Sequence, residues 1–545
     1  MTILFGFLFL SALSAIYVSM ESNIYYWDFA TGFSEANHLN NLYHSHPIKA
    51  VGKIFSSIWK SDYNYFSAII PSIFIYLIKN QREIYIQTIL LIYCVPFSAL
   101  FVYIFSKVMG THKLSDILFP LFLVMTNMVV VGTILRGFPD VGGLIFIEYA
   151  IILAISVDYS KNICIKKAIL LGVSLWMAFL FRRWYAYTIV TLYISLPVFN
   201  YFYFNMRGNY GKIVNSVKNF CIAGVSSVVM LLVFQFGLLL KILKTDYSIA
   251  YTAYKKPLNY SIDSVLNGFG YYVLPIFIFG IIFMLMEKNK KIQLYISFCF
   301  FNLILSMVLF FRTQSPDIHH ILPFSFWMMM IAAYGAFCIF NRVRGGGVLR
   351  AISCVYMPVA LIIALFCDRP YHVPLLRLVL PMQFPPLHID NFQTYQQLVD
   401  DLKRDYAPYG SIAILSSGFV LNTSMVENIS NYHLVTENIA HVDLRDHFNP
   451  VLLNAKYVVI VSPVQTDLPA VYQRVITVPA YEILNTRGVG KSYKRVGHSY
   501  ELRPNVYAYI YEKFESFSAE QISYFNQELY AYYPDWEKKH YGYKE

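Results

Sequence analysis

Long apolar runs separated by short polar loops occupy most of the first 367 residues. Twelve runs are candidates for membrane spans, and they lack the alternation of apolar and polar residues that a membrane-barrel strand requires. The spans are therefore predicted to be helices. We exclude the run 65–78, because it is short, contains Pro71 and follows the polar residues 60–64. We predict that this run lies in, or dips into, the membrane interface on the outer side.

About eleven spans remain, and the loops between them predict their orientation. Lys and Arg are concentrated in loops that we assign to the cytoplasm, because the positive-inside bias favours that side. With the N-terminus inside, an odd number of spans places the C-terminal segment outside. The predicted spans lie near 2–20, 84–106, 114–134, 141–157, 165–181, 184–204, 218–240, 269–286, 292–311, 321–340 and 349–367. The residues of the basic loops are Lys107, Lys113, Lys161, Lys166, Lys167, Arg207, Lys212, Lys218, Lys288, Lys290, Lys291, Arg342, Arg344 and Arg350.

From Asp368 onward the composition changes to that of a folded soluble domain. Three segments rich in Val, Ile and Tyr are predicted to be buried strands, at 411–416, 455–462 and 505–512. Ser518 and Gln521 have the spacing of a capping box, so a helix should begin there and end near Tyr533. The tail is therefore predicted to be a small α/β domain.

These patterns together predict an α-helical polytopic membrane protein with two domains. The transmembrane domain covers 1–367, and its first outer loop, 21–83, carries helices that lie along the membrane. The extracytoplasmic α/β domain covers 368–545. A proline-rich connector is predicted between Arg369 and Pro386.

The composition agrees with the hydrophobic pattern. The 545 residues are 57% hydrophobic and 14% charged, and the mean hydropathy is +0.48, which is far from the range of soluble domains. A net charge of +11 does not indicate nucleic acid as a partner, because the basic residues lie mostly in the short loops. Seven cysteines lie in or beside apolar runs without metal-ligand spacing, so they indicate no cysteine metal site.

Four polar clusters fall on the outer side in this topology, and the first of them begins with Asp28. Asp28 follows Trp27 directly after the first span. A carboxylate at the edge of hydrocarbon costs free energy unless water, a cation or a partner meets it, so Asp28 is a candidate catalytic residue. The alternative is that Trp27 anchors the interface while Asp28 caps the following helix.

The second cluster contains Arg136 and Asp140, which flank the turn between the third and fourth spans. Asp140 stands where its side chain could accept from the free N–H groups at the start of a helix, so a capped turn is one interpretation. The other is that Asp140 is a second acidic site residue facing Asp28, with Arg136 beside it to bind an anion. The spacing alone leaves both open.

The third cluster is Arg182, Arg183 and Trp184, at the outer end of the fifth predicted span. Each arginine at the depth of the hydrocarbon costs a few kcal/mol unless it meets an anion or extends to the interface. A guanidinium is suited to bidentate contacts with phosphate. A phosphate ligand is therefore one interpretation, and extension toward lipid headgroups is the other.

The fourth cluster contains Arg312, His319 and His320, before the tenth predicted span. The two histidines are adjacent, so on a helix they point about 100° apart and do not favour chelation of one metal ion. A histidine or Arg312 that reaches a diphosphate or a sugar hydroxyl is the alternative we favour. The sequence does not require a divalent metal and leaves it open as a cofactor.

The layout of these clusters resembles the GT-C superfamily of integral membrane glycosyltransferases, in particular the bacterial enzymes that use polyprenyl-phosphate sugars. Asp28 matches the acidic residue that opens the family's first outer loop, and Arg136 with Asp140 matches its second acidic loop. His320-Ile321-Leu322-Pro323 resembles a late span that opens with a basic residue before Leu-Pro. Many relatives have a second acidic residue beside the first, where this chain has Phe29 and Ala30, and Glu35 is the candidate to replace it.

This resemblance implies transfer of a sugar from a polyprenyl-phosphate donor to a cell-envelope glycan or glycolipid, with inversion. Asp28 would act as general base, with Asp140 and Glu35 as further acidic site residues. Arg182, Arg183 and Arg136 would hold the departing phosphate. Further substrate-binding residues would be Trp184, Arg312, His319 and His320. The implied location is the bacterial cytoplasmic membrane, with the C-terminal domain outside. Two other functions stay open: an O-antigen-type polymerase or ligase, and a transporter or flippase for a lipid-linked oligosaccharide.

Overall fold

The computed structural model describes residues 2–22, 24–78, 81–206, 211–367 and 375–544. The chain forms two compact units. The helical unit comprises Met1–Ser19, Thr31–Thr245 and Lys256–Pro386, and the sheet unit comprises Met20–Ala30, Asp246–Lys255 and Leu387–Glu545. Arg207 of the predicted basic loops, the predicted domain boundary at Asp368 and the start of the connector at Arg369 lie outside the described residues.

Helices form almost all of the regular structure before the sheet. In chain order they are α1 (Thr2–Ser19), α2 (Asp28–Ser45), α3 (Pro47–Lys60), α4 (Ile69–Leu77), α5 (Arg82–Ile89), α6 (Val95–Met109), α7 (Leu114–Thr126), α8 (Met128–Leu135), α9 (Val141–Ser156), α10 (Ile165–Phe181), α11 (Ala186–Asn205), α12 (Ile213–Phe234), α13 (Phe236–Lys244), α14 (Tyr247–Ala250), α15 (Leu258–Phe269), α16 (Leu274–Met286), α17 (Lys290–Phe311), α18 (Leu322–Arg342), α19 (Gly346–Phe366) and α20 (Leu376–Val379). Of these, α14 belongs to the sheet unit.

Among the described residues, six helices are long and apolar enough to cross a membrane, or up to eight if two bent helix pairs count as one span each. The bends are 41° between α7 and α8 and 74° between α15 and α16. The protein is therefore a multi-pass membrane protein. All eleven predicted spans coincide with helices, but the number that cross stays a prediction, because α9, α10 and α11 do not meet the same length and hydropathy test. The excluded run forms a short 3-10 turn, Tyr65–Ala68, followed by α4.

Glycine allows close helix packing in the interior of the helical unit. A Cβ atom on Gly172 of α10 would clash with the carbonyl oxygen of Ala223 on α12. Lipid supplies no hydrophobic drive between helices, so packing at this distance is what holds such a pair together. Gly224, the next residue on α12, has ordinary space around it, since the nearest atom to an added Cβ is 4.0 Å away.

The sheet unit contains a four-stranded sheet with the order β1-β2-β4-β3. The strands are β1 (Ile412–Leu415), β2 (Tyr457–Ser462), β3 (Tyr493–Arg503) and β4 (Val506–Lys513). β1 pairs with β2 in parallel, and both other pairs are antiparallel. The helices of this part are α21 (Phe392–Asp401), α22 (Thr423–Ile429), α23 (Asp443–Asp446), α24 (Val451–Asn454), α25 (Arg474–Leu484), α26 (Ala519–Tyr532) and α27 (Pro534–Lys539).

Apolar residues cover both faces of β1 and β2. Ala413 and Leu415 of β1 belong to one apolar cluster, whereas Ile412 and Ile414 belong to the other. This burial on both sides explains the continuous apolar runs that predict β1 and β2, whereas β4 fully buries only Ala508 and Ile510, on one face. The capping box is also confirmed, since Ser518 and Gln521 cap the start of α26 reciprocally.

Residues from the start of the chain complete the core of the sheet unit. Ile24 is buried with Tyr395 and Leu398 of α21. The backbone N–H of Ser22 donates to the carbonyl oxygen of Leu387 at 2.8 Å. The segment 20–30 therefore folds with residues that follow it by more than 350 positions.

Gly172→Ala should lower the melting temperature of the detergent-purified protein, because α10 and α12 must separate to admit the methyl group. Overpacking of this kind costs about 1–3 kcal/mol. Gly224→Ala on the facing helix is the matched control and should melt like the wild type. Equal melting temperatures for all three proteins in differential scanning fluorimetry would contradict the close packing of α10 and α12.

Candidate functional site

A buried ion pair joins two of the predicted outer clusters. Arg182 has an extended backbone between α10 and the 3-10 turn Arg183–Tyr185, and its Nε donates to Oδ1 of Asp140. The two side chains are 7% and 0% exposed. The hydroxyl of Tyr185 donates to the carbonyl oxygen of Asp140 at 2.7 Å, which ties the same turn to the start of α9.

This pair excludes two of the simpler interpretations. Asp140 precedes α9, which is described in full, but its side chain accepts no hydrogen bond from the first N–H groups of that helix. The interpretation of Asp140 as a helix cap is therefore wrong. Arg182 is buried against a carboxylate, so its extension toward lipid headgroups is wrong as well.

Glu35 of α2 lies within electrostatic range of Arg182 and of Tyr85 on α5. Helices α2 and α5 pack closely at this point, because a Cβ atom on Gly32 would clash with the hydroxyl of Tyr85. That hydroxyl donates to the carbonyl oxygen of Gly137 at 2.9 Å. Burial, together with the charge of Glu35, raises the pKa of Tyr65 to about 12. Two carboxylates thus surround Arg182 in the helical unit.

Asp62 holds two cations nearer the protein surface. Arg183 donates to Oδ1 of Asp62 at 2.6 Å, and Lys241 of α13 pairs with Oδ2. Arg183 is 20% exposed and Lys241 51%. Two partly exposed cations therefore lie together at one carboxylate. Sequence analysis missed Asp62 and Lys241, because they are separated by 179 positions and neither belongs to a motif.

Aromatic rings line the same region. Trp184 stacks on Tyr185 with the ring centroids 4.2 Å apart, and it lies 5.5 Å from the ring of His320. His319 is buried and stacks on Phe138 at 4.3 Å. Both histidines lie within electrostatic range of Arg182.

His320 has a local role as well. Its Nδ1 accepts from the backbone N–H of Asp317, and the side chain of Asp317 caps the turn in return. The two histidine rings are 3.9 Å apart. Arg182, Arg183, Trp184, His319, His320, Asp140 and Glu35 are thus brought together in the helical unit.

Arg136 and Arg312 stand apart from this group. Arg136 is buried, donates to the hydroxyl of Tyr17 at 2.7 Å and to the carbonyl oxygen of Pro385 at 2.9 Å, and lies over the ring of Phe384. These contacts connect α8 to α1 and to the end of the helical unit. Arg312 follows α17 directly and is exposed. The binding roles predicted for both arginines stay predictions.

Asp28 belongs to the sheet unit, where it begins α2. The residue before it, Trp27, has a φ of 44°, which is uncommon for a residue with a side chain. Its ring packs on Phe419 at 5.1 Å and on Tyr26 at 5.2 Å, and Tyr26 also packs on Phe419. This packing holds the unusual backbone in place immediately before the half-buried carboxylate.

Two solved structures share this fold over almost the whole chain. They are crystal structures of ArnT from Cupriavidus metallidurans, one bound to undecaprenyl phosphate and one in the apo state. The first has a TM-score of 0.55 at 10% sequence identity and the second 0.52 at 9%, and both comparisons cover 92% of this chain and 97% of ArnT. The fold is GT-C-like. No family model and no curated protein sequence matches the chain.

The GT-C-like fold confirms the predicted fold class, including the small sheet. The fold does not decide whether the protein uses a divalent metal as a cofactor. Within the described ranges, no three or more His, Cys, Asp or Glu side chains are grouped so that they could hold a metal ion.

In this GT-C-like fold, the charges near Arg182 have two different environments. Arg182 is buried and compensated by Asp140, with Glu35 in range, so it has little capacity to bind a further anion. Arg183 and Lys241 are partly exposed and share one carboxylate. An incoming anion such as a phosphate would therefore meet Arg183 and Lys241 with the smaller desolvation cost.

Breaking the Arg182–Asp140 pair should destabilise the protein more than replacing it. Arg182→Met or Asp140→Leu alone leaves one member of the buried pair without its direct partner, at a cost of about 3–5 kcal/mol, whereas the double replacement should be closer to the wild type. Thermal unfolding in detergent gives the melting temperatures of the two single variants and the double variant. Arg404→Met is the control, because Arg404 is 68% exposed beside Asp401 and Asp405, and a solvent-exposed ion pair contributes little to stability. If the double variant lost as much stability as the two single variants together, the coupling between Arg182 and Asp140 would be contradicted.

Proposed function

We propose that this protein is a membrane glycosyltransferase that moves a sugar from a polyprenyl-phosphate donor to a cell-envelope glycan or glycolipid. The observation that carries the proposal is the fold shared with ArnT over 92% of this chain and 97% of that one. ArnT is a GT-C glycosyltransferase, and one of its structures contains undecaprenyl phosphate. The protein would act in the bacterial cytoplasmic membrane, with the sheet unit on the outer side.

The reaction replaces one bond at the anomeric carbon of the sugar. An acceptor hydroxyl attacks that carbon, a new C–O bond forms with inversion, and the bond to the phosphate oxygen breaks. The acceptor proton goes to a carboxylate, and we assign this role to Asp28. Its half-buried position after the constrained residue Trp27 supports the assignment, because a general base has to be held in one orientation.

The departing polyprenyl phosphate carries negative charge, which Arg183 and Lys241 would offset. The basis is that these two cations are partly exposed and lie together at Asp62, so they could meet a phosphate without the desolvation cost of a fully buried charge. Arg182 would act indirectly: its buried pair with Asp140 holds the backbone from which Arg183 and Trp184 extend. Glu35 remains a second candidate for the base.

Asp28→Asn should lower sugar transfer by about 10²–10⁴-fold, because an amide cannot take the acceptor proton. The measurement is mass spectrometry of surface glycans from a deletion strain that expresses each variant. Asp390→Asn is the control, since Asp390 is fully exposed in the same unit. Loss of transfer in Glu35→Gln with full activity in Asp28→Asn would move the role of base to Glu35. Surface glycans that are unchanged in the deletion strain would contradict the proposed function.

Arg183→Gln and Lys241→Gln should each weaken binding of undecaprenyl phosphate about tenfold. A hydrogen bond to a charged group contributes about 1.5–3 kcal/mol, and 1.4 kcal/mol corresponds to a factor of ten. Native mass spectrometry of the protein in nanodiscs measures the bound lipid. Arg350→Gln is the matched control, because Arg350 pairs with Asp116 at 3.0 Å in the same unit. Equal lipid binding in all variants would remove Arg183 and Lys241 from the donor site.

A further inference from the structure

Three tyrosines form a ladder in the short segment 246–255 of the sheet unit. The rings of Tyr247 and Tyr251 are 6.0 Å apart, and those of Tyr251 and Tyr254 are 5.7 Å apart. Asp246 caps the turn α14 that starts the ladder, through the N–H groups of Ser248 and Ile249. Contacts between α14 and α23 hold the segment on the sheet unit.

Arg445 connects this ladder to a polar pocket. It donates to the hydroxyl of Tyr254 at 2.8 Å and, through Nε and Nη2, to Asp446 at 2.7 and 2.9 Å. Asp446 also accepts from the backbone N–H groups of His441 and Val442. The guanidinium is therefore held in one orientation, as a preorganised binding site requires.

The pocket beside Arg445 has a volume of about 280 Å³. This is just below the range of about 300–1,000 Å³ for pockets that hold drug-sized ligands, and it suits one sugar ring. Its polar lining is Asn438, His441, Arg445, Asp446 and Asn449.

One side chain that lines the pocket, His441, indicates that the pocket binds a ligand. Nδ1 of His441 is buried and has no hydrogen-bond partner among the described residues, which is unusual for a buried nitrogen. Burial lowers the pKa of His441 to about 4, with Asp446 opposing the shift. The ring is therefore neutral at physiological pH, and it can exchange a hydrogen bond with a hydroxyl group.

The charges around Tyr254 indicate what the site selects. Asp28, Asp446 and Asp467 lie within electrostatic range of Tyr254, together with Arg445. These three carboxylates, of which Asp446 lines the pocket, disfavour an anion beside the ring of Tyr254. They favour partners that present O–H or N–H groups, which carboxylates accept. Asp28 is among these groups, so the base assigned above belongs to the same part of the sheet unit.

We propose that Tyr254, Arg445 and His441 form a subsite for the acceptor, which binds one ring of a neutral or amino-bearing glycan. The proposal rests on the proposed function and adds the chemical class of the acceptor. The sugar would lie against the face of Tyr254 and exchange hydrogen bonds with Arg445, His441 and Asp446. A phosphorylated sugar would be repelled.

Saturation-transfer difference NMR on the full-length protein in nanodiscs tests this subsite. The probes are tri-N-acetylchitotriose, which is neutral, its de-acetylated trimer, which carries amino groups, and glucose 6-phosphate. We expect saturation of the neutral or the amino trimer and none of the phosphate. Arg445→Gln and Tyr254→Ala should lower the signal at least fivefold, and Tyr254→Phe, which keeps the ring, should lower it less.

Arg495→Gln is the matched control, because Arg495 lies over the ring of Tyr509 at 4.1 Å elsewhere in the same unit. The proposal is overturned if neither trimer is saturated, if glucose 6-phosphate binds better than both, or if Arg445→Gln keeps the full signal. NMR detects binding without turnover, so this result is separate from the glycan analysis that tests the transferase activity. Unchanged melting temperatures of Arg445→Gln and Tyr254→Ala exclude a loss of signal through misfolding.

Discussion

The buried pair of Arg182 and Asp140 is the constraint on which the candidate donor site depends. Two charges removed from water are costly, and only close contact with good hydrogen bonds offsets that cost. The pair therefore fixes the end of α10 against the start of α9, with Tyr185 as a second tie to the same turn. The pair therefore also positions the residues next to Arg182. Two of these residues, Arg183 and Trp184, carry the groups that are proposed to contact the donor.

Charged residues that stabilise the structure lie apart from the charged residues that are proposed to bind ligands. In the interior, Arg182 is matched by Asp140 and lies in the field of Glu35. Nearer the surface, two partly exposed cations pair with Asp62. In the sheet unit the balance reverses, because carboxylates outnumber the guanidinium around Tyr254. Under the proposed function, a donor phosphate and acceptor hydroxyls would have opposite electrostatic requirements, and each unit would meet one of them.

Local sequence patterns predicted the helices and strands of the fold. The arrangement of the candidate site depends instead on contacts between residues that are far apart in the chain. The apolar runs, three strands and the capping box at Ser518 depend on neighbouring residues, and all appear in the structure. Strand β3 was missed, because it lies at the edge of the described sheet with Lys494, Arg495 and Glu501 exposed and so lacks an apolar run. Asp140 shows the limit most clearly: its position suggested a cap, and its partner is 42 positions away.

The sheet unit is assembled from three separate stretches of chain, and this has a consequence for its biogenesis. Ile24 and the carbonyl group of Tyr25 belong to its core and its hydrogen-bond network, together with residues of α21 and α22. At a synthesis rate of about 5–20 residues per second, these early residues leave the ribosome roughly half a minute to two minutes before the last strand. Ile24 and Tyr25 therefore stay without these packing partners until α21 and α22 have left the ribosome.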